Sequence, residues 1–90
     1  MSLNRRAAKR DLNEREIMEA LAAAGASVVQ ISIAGVPDLL VGFAGNNFLL
    51  EVKAPNGKLT PAEFAFFEDW DGQAIVVRTY EEALKAIGRI

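Results

Sequence analysis

The sequence predicts one mixed α/β domain with element order αβββαβα, a central mixed β-sheet flanked by helices. Three observations predict it. An alanine-rich segment with apolar residues at helical spacing stops at Gly25. Two β-type runs face each other across a turn-rich stretch at residues 42–47. Two threonine-led capping sequences then bracket an almost unbroken apolar run at 74–77.

The 90 residues suffice for one domain whose core is small enough that self-association would help it. With 51% hydrophobic residues, disorder is not expected. The chain has neither cysteine nor histidine, which excludes disulfides, thiolate sites, zinc sites of the usual kind and serine-type triads within one chain. Any chemistry has to use carboxylates, lysine and a hard metal. No apolar run reaches the roughly twenty residues of a membrane span, and the N-terminus is charged where a signal peptide would be apolar, so a cytoplasmic protein with no membrane partner is expected.

The net charge of -2 conceals a gradient. Arg5, Arg6, Lys9, Arg10 and Arg15 face only Asp11 and Glu14 in the first fifteen residues. Residues 1–10 read as a basic, flexible arm and 11–90 as the domain. Such an arm either binds phosphate or is simply solvated.

The first helix is expected over 12–24, with Ile17, Met18, Leu21 and Ala24 on its apolar stripe. Glu14 precedes Ile17, Met18 and Leu21 by three, four and seven residues, which puts it on the buried stripe, whereas Glu16 and Glu19 project away. A carboxylate there needs a partner: a metal, a lysine, or a basic residue of the arm. Residues 27–32 alternate polar and β-branched side chains and form the first strand. Pro37, which cannot donate to a ladder, marks the next strand's start and puts Asp38 at an edge.

The hairpin joins Leu39-Leu40-Val41 to Phe48-Leu49-Leu50 and runs on into Glu51-Val52-Lys53. Alternation puts Glu51 and Lys53 on one face, and antiparallel pairing brings Asp38 to the same end. Two carboxylates and an ammonium there suit a hard cation and a water beside it. A solvated ion pair with a turn aspartate is the other reading of the same spacing.

Thr60-Pro61-Ala62-Glu63 carries a capping box with proline at the first helical position, opening a helix that ends at Asp71-Gly72. Its Phe64, Phe67 and Trp70 are expected in the core. The run at 74–77 follows a helical crossover and so pairs in parallel with an earlier strand. Thr79 and Glu82 cap a last helix that carries Ala83, Leu84 and Ile87 inward and stops near Gly88. Lys58 lies just before the second helix, where it can meet phosphate.

Gly35-Val36-Pro37-Asp38-Leu39-Leu40-Val41-Gly42, Leu49-Leu50-Glu51-Val52-Lys53 and Lys58-Leu59-Thr60-Pro61 together resemble the VRR-NUC branch of the PD-(D/E)XK nuclease superfamily, in its small stand-alone phage or prophage form. The likeness runs from about Asp11 to Leu84. It implies a restriction-endonuclease-like core and a metal-dependent, structure-selective DNA endonuclease, cutting four-way (Holliday) junctions as a homodimer. Flap, nicking or restriction-like cleavage and a non-catalytic nucleic-acid-binding module are the rival classes. The resemblance implies that Asp38, Glu51 and the Val52 carbonyl ligate Mg²⁺ or Mn²⁺, that Lys53 positions or activates water, and that Glu14 is the acid from the helix, with Glu16 as its alternative. Arg5, Arg6, Lys9, Arg10 and Lys58 would contact DNA. The branch commonly has glutamine where this chain has Glu63; Gln73 lies too far along to replace it.

Overall fold

The computed structural model describes residues 2–90, with side chains from Asn13 onward. Seven elements follow in order: α1 (Ser2–Ala23), β1 (Ser27–Gln30), β2 (Leu39–Phe43), β3 (Asn46–Val52), α2 (Pro61–Asp69), β4 (Ile75–Val77) and α3 (Tyr80–Ala86). This is the expected αβββαβα order. The helix α1 begins about ten residues earlier than its apolar stripe predicts, because the alanine, arginine and lysine of that stretch favour helix without needing a buried face. The side chains of Arg5, Arg6, Lys9 and Arg10 lie outside the described residues.

The strands form one sheet in the order β1-β2-β3-β4. β1, β2 and β3 pair antiparallel, and β4 joins β3 in parallel after the α2 crossover. The hairpin turn is tighter than the turn-residue cluster suggests. Phe43 pairs with Asn46 and Gly42 with Asn47, which leaves Ala44-Gly45 as a two-residue connection with φ of 53° and 82°. Positive φ at both positions is what a type I′ hairpin needs to match strand twist. The register Leu39↔Leu50, carried one step further, sets Asp38 opposite Glu51.

Strand alternation sends Leu39, Val41 and Leu50 to one face, where they are buried against Ile17 and Leu21 of α1, Val77 of β4, and Ala83 and Ile87 at the end of the chain. Each fully buried aliphatic side chain contributes about 1.5–3 kcal/mol. Both long-range helices of this layer are closed at their C-terminal ends by backbone bonds five residues back, Ala26 N to Leu21 O at 3.0 Å and Arg89 N to Leu84 O at 2.8 Å.

α2 departs from expectation. Its capping box is complete, but it buries no residue: Phe64 is 57% exposed and Trp70 47%. Two of the three aromatics expected in the core meet Phe66 instead, Trp70 stacking on it at 5.0 Å between centroids and Phe67 edge-on to it at 6.0 Å. The helix leans on the turn at 34–36. A Cβ built on Gly35, whose φ is 83°, would stand 3.3 Å from the Ala62 Cβ, so glycine serves both the backbone conformation and the close approach. Leu40 and Val29, register partners on the sheet face away from the core, are likewise exposed.

Candidate active site

β2 begins and β3 ends at the same end of the sheet, and the charged residues gather there. Asp38 Oδ2 accepts a hydrogen bond from the Val52 amide at 2.8 Å, which fixes the carboxylate to the strand that bears Glu51. Glu51 is 2% exposed. Its Oε2 lies 3.5 Å from the Lys53 ammonium, while its Oε1 is buried without a hydrogen-bond partner. Burial first, then the charges of Asp38 and Glu63, push the Glu51 carboxyl up to about 8 against the pull of Lys53.

Lys53 has a closer partner in Glu63, whose Oε1 stands 2.7 Å from Nζ. Partial burial opposes the lysine charge, but hydrogen bonding and charge from Glu63, with Glu51 behind it, outweigh that and raise its pKa above the ordinary 10.5. For Glu63, burial is outweighed by Lys53 and by the Thr60 amide, so its carboxyl lies below the ordinary 4.5. The lysine charge is therefore balanced mainly by Glu63, which stays ionised, and less by Glu51, which holds a proton at neutral pH.

The backbone around Lys53 is pinned from three sides. Its amide donates to Val77 O at 3.0 Å, continuing the parallel ladder, and its carbonyl accepts from Asn13 Nδ2 at 2.9 Å. Arg78 Nη1 donates to Ala54 O at 2.6 Å and Gly57 O at 2.8 Å, with Pro55 O at 3.3 Å, which ties down the turn after Lys53. Neither Asn13 nor Arg78 is singled out by the sequence. Arg78 lies 21 residues beyond Gly57, so nothing local in the sequence links it to that turn.

Glu14 is buried on α1 as its position on the stripe requires. Gln30 Nε2 donates to its Oε2 at 2.8 Å. Gln30 ends β1 opposite Leu39, one residue from Asp38, so Glu14 reaches the same end of the sheet from the helix layer. Among the described residues no group of three or more acidic side chains forms a ready metal cluster. Glu16 is exposed and lies off this end. Lys58 is exposed in the loop before α2. Gln73 is elsewhere: its side chain takes the Leu49 amide at 2.6 Å and donates to Leu49 O at 3.2 Å, standing in for one more strand residue beside β3.

A solved structure described as a VRR_NUC domain superposes on this chain with a TM-score of 0.67 at 29% identity, covering 88% of this chain and 94% of the other. The chain has the fold of a VRR-NUC domain. That fold is of the restriction-endonuclease-like PD-(D/E)XK class, and the likeness implies a nuclease of that type. No protein-family model and no curated protein matches the sequence.

On the VRR-NUC fold, this acidic pair can be tested for fit to a hard divalent cation. The partnerless Glu51 Oε1 and the Asp38 carboxylate, which the Val52 amide holds at the same end of the sheet, are the all-oxygen donors that a hard cation takes. The residues fit. Among the described residues, no helix is long and apolar enough to cross a membrane.

Proposed function

We propose that this chain is a metal-dependent, structure-selective DNA endonuclease that cuts four-way junctions as a homodimer. The observation that carries the reading is buried Glu51 beside half-buried Asp38, with Glu51 Oε1 lacking a hydrogen-bond partner and its Oε2 3.5 Å from the Lys53 ammonium, at the end of the hairpin of a VRR-NUC fold.

Asp38, Glu51 and the Val52 carbonyl would hold Mg²⁺ or Mn²⁺, with Glu14 approaching from the helix layer. A bound cation of this kind lowers the pKa of water and offsets the charge that develops on the phosphoryl oxygens. The chain's own part is to orient and to balance charge. Glu51 gives up its proton to become a full carboxylate, and the Lys53 ammonium aims at the attacking water and the scissile phosphate. Water would add to phosphorus with loss of a proton to solvent, the bond to the 3′ oxygen would break, that oxygen would leave as a hydroxyl by taking up a proton from solvent, and a 5′-phosphate would remain. Arg5, Arg6, Lys9, Arg10 and Lys58 would hold backbone phosphates. With no helix carrying clustered arginine and asparagine for base edges, DNA shape would set selectivity.

Paired cutting of a four-way junction needs two sites in fixed relation, which a twofold dimer provides. The exposed apolar side chains Phe64 and Trp70 on α2 and Leu40 and Val29 on the sheet support a second copy of this chain as a cover. The protein would act in the cytoplasm of a bacterial or phage-infected cell, where DNA junctions arise.

The test is cleavage of an end-labelled four-way junction beside its matching linear duplex in Mg²⁺, Mn²⁺ or EDTA, with wild type and Lys53→Ala. Metal-dependent, symmetric cuts confined to the junction and lost in the variant are expected. Cleavage of flaps or duplex instead would redirect the substrate class. Binding without cleavage in either metal would replace the enzyme by a DNA-binding module.

A further inference from the structure

We propose that Glu63 is a positioning residue for Lys53, an assignment that rests on the nuclease reading above. Lys53 reaches its post through a long, flexible side chain, and a lysine ammonium is a point charge with no geometric preference of its own. Something has to fix it. Its nearer charged partner is Glu63, at 2.7 Å, with Glu51 at 3.5 Å.

Glu63 is itself held by the start of α2. Its Oε1 accepts from the Thr60 amide at 2.9 Å, and its own amide donates to Thr60 Oγ1 at 3.2 Å. One carboxylate oxygen therefore closes the helix cap and anchors the lysine. The helix start thereby becomes a rigid reference for the side chain that directly follows β3, ten residues earlier in the chain. When a cation draws Glu51 to itself, Glu63 remains as the acceptor that keeps the ammonium in place. It does so without touching the cation or the phosphate.

The experiment compares Glu63→Gln, Glu63→Ala and Thr60→Ala with wild type. Glutamine can still close a capping box, so Glu63→Gln removes the charge while sparing the helix start. Thr60→Ala weakens the same cap but leaves the carboxylate on Lys53. The first readout needs neither metal nor DNA: the ¹H–¹⁵N correlation of the Lys53 ammonium, visible when the group is held and exchanges slowly with water. It is expected in wild type and Thr60→Ala, weakened in Glu63→Gln and lost in Glu63→Ala.

The second readout is kcat and KM on the junction in Mg²⁺. A displaced ammonium is expected to lower kcat by about 10- to 100-fold in Glu63→Ala with KM unchanged, since misplacement by about 1 Å can cost that much. Glu63→Gln should fall between, and Thr60→Ala should stay near wild type. An unchanged Lys53 signal in Glu63→Ala, a raised kcat, or an equal loss in Thr60→Ala overturns the assignment, the last by making the effect one of capping. A wild type that cleaves with Glu63→Ala unaffected sinks this assignment alone, whereas a wild type that does not cleave sinks the nuclease reading and takes this one with it.

Discussion

Glu51 predicts that the metal-free protein loses stability as pH rises, the reverse of the usual carboxylate behaviour. Its pKa stands at about 8 in the folded chain against an ordinary 4.5. Between those values the folded state keeps a proton that the unfolded state has released, so stability falls with pH across that window and levels off above about 8. The slope cannot exceed about 1.4 kcal/mol per pH unit, which sets a ceiling of about 5 kcal/mol over the whole window. Local relaxation and water entry reduce that, and a loss of about 2–3 kcal/mol is expected. In a domain of this size that is a fall in Tm of roughly 10–20 °C.

The perturbation is Glu51→Gln, which keeps the shape and removes the ionisation. The assay is thermal or urea unfolding in EDTA from pH 5 to pH 9, repeated with excess Mg²⁺. Wild type should lose stability from pH 5 to pH 8 while the variant stays flat, so that the variant is the more stable above pH 8. Mg²⁺ should restore wild type at high pH and leave the variant nearly unmoved. A wild-type profile as flat as the variant's would refute the account of Glu51 as a buried carboxyl that holds a proton until a cation replaces it.

Other perturbations separate the parts of the site. Asp38→Asn should weaken Mn²⁺ binding by at least about 10-fold, as read by calorimetry, because the remaining donors carry too little charge. Arg78→Lys should lower stability by about 1.5–3 kcal/mol in urea unfolding, since an ammonium cannot replace the guanidinium that serves the Ala54 and Gly57 carbonyls. Phe64→Lys should change monomer stability by less than about 0.5 kcal/mol, because the residue is exposed. In sedimentation the same variant should shift any dimer toward monomer.

The features that could be read from sequence are those with local physical causes. The box at Thr60–Glu63 needs only residues three apart, and it is complete. Glu14 was placed inward by helical spacing alone, and it is buried. Alternation and antiparallel pairing brought Asp38, Glu51 and Lys53 to one end of the sheet. The turn is shorter than its residue types suggest because Gly42, Asn46 and Asn47 are turn-prone residues that cross-strand pairing nevertheless holds in the ladder. The exposure of Phe64 and Trp70 is not legible in the sequence, because helical spacing shows which residues share a face, never what that face meets. Arg78 and Asn13 act on backbone carbonyls, which leave no mark in a side-chain pattern.

Charge balance explains why the pieces outside the motif matter. Asp38, Glu51 and Glu63 against Lys53 would leave two negative charges in a partly buried space if all were ionised. The folded chain relieves this by keeping Glu51 protonated and giving Lys53 to Glu63. The divalent cation of the proposed reading would relieve it differently, by taking the two charges directly and releasing the proton to solvent. On that reading the lysine would stay where it is through the exchange because its nearer partner, Glu63, would not be a donor to the cation. Glu63, a departure from the glutamine common in the VRR-NUC branch, thus adds a negative charge next to the site while leaving the Asp38–Glu51 pair free to change its state.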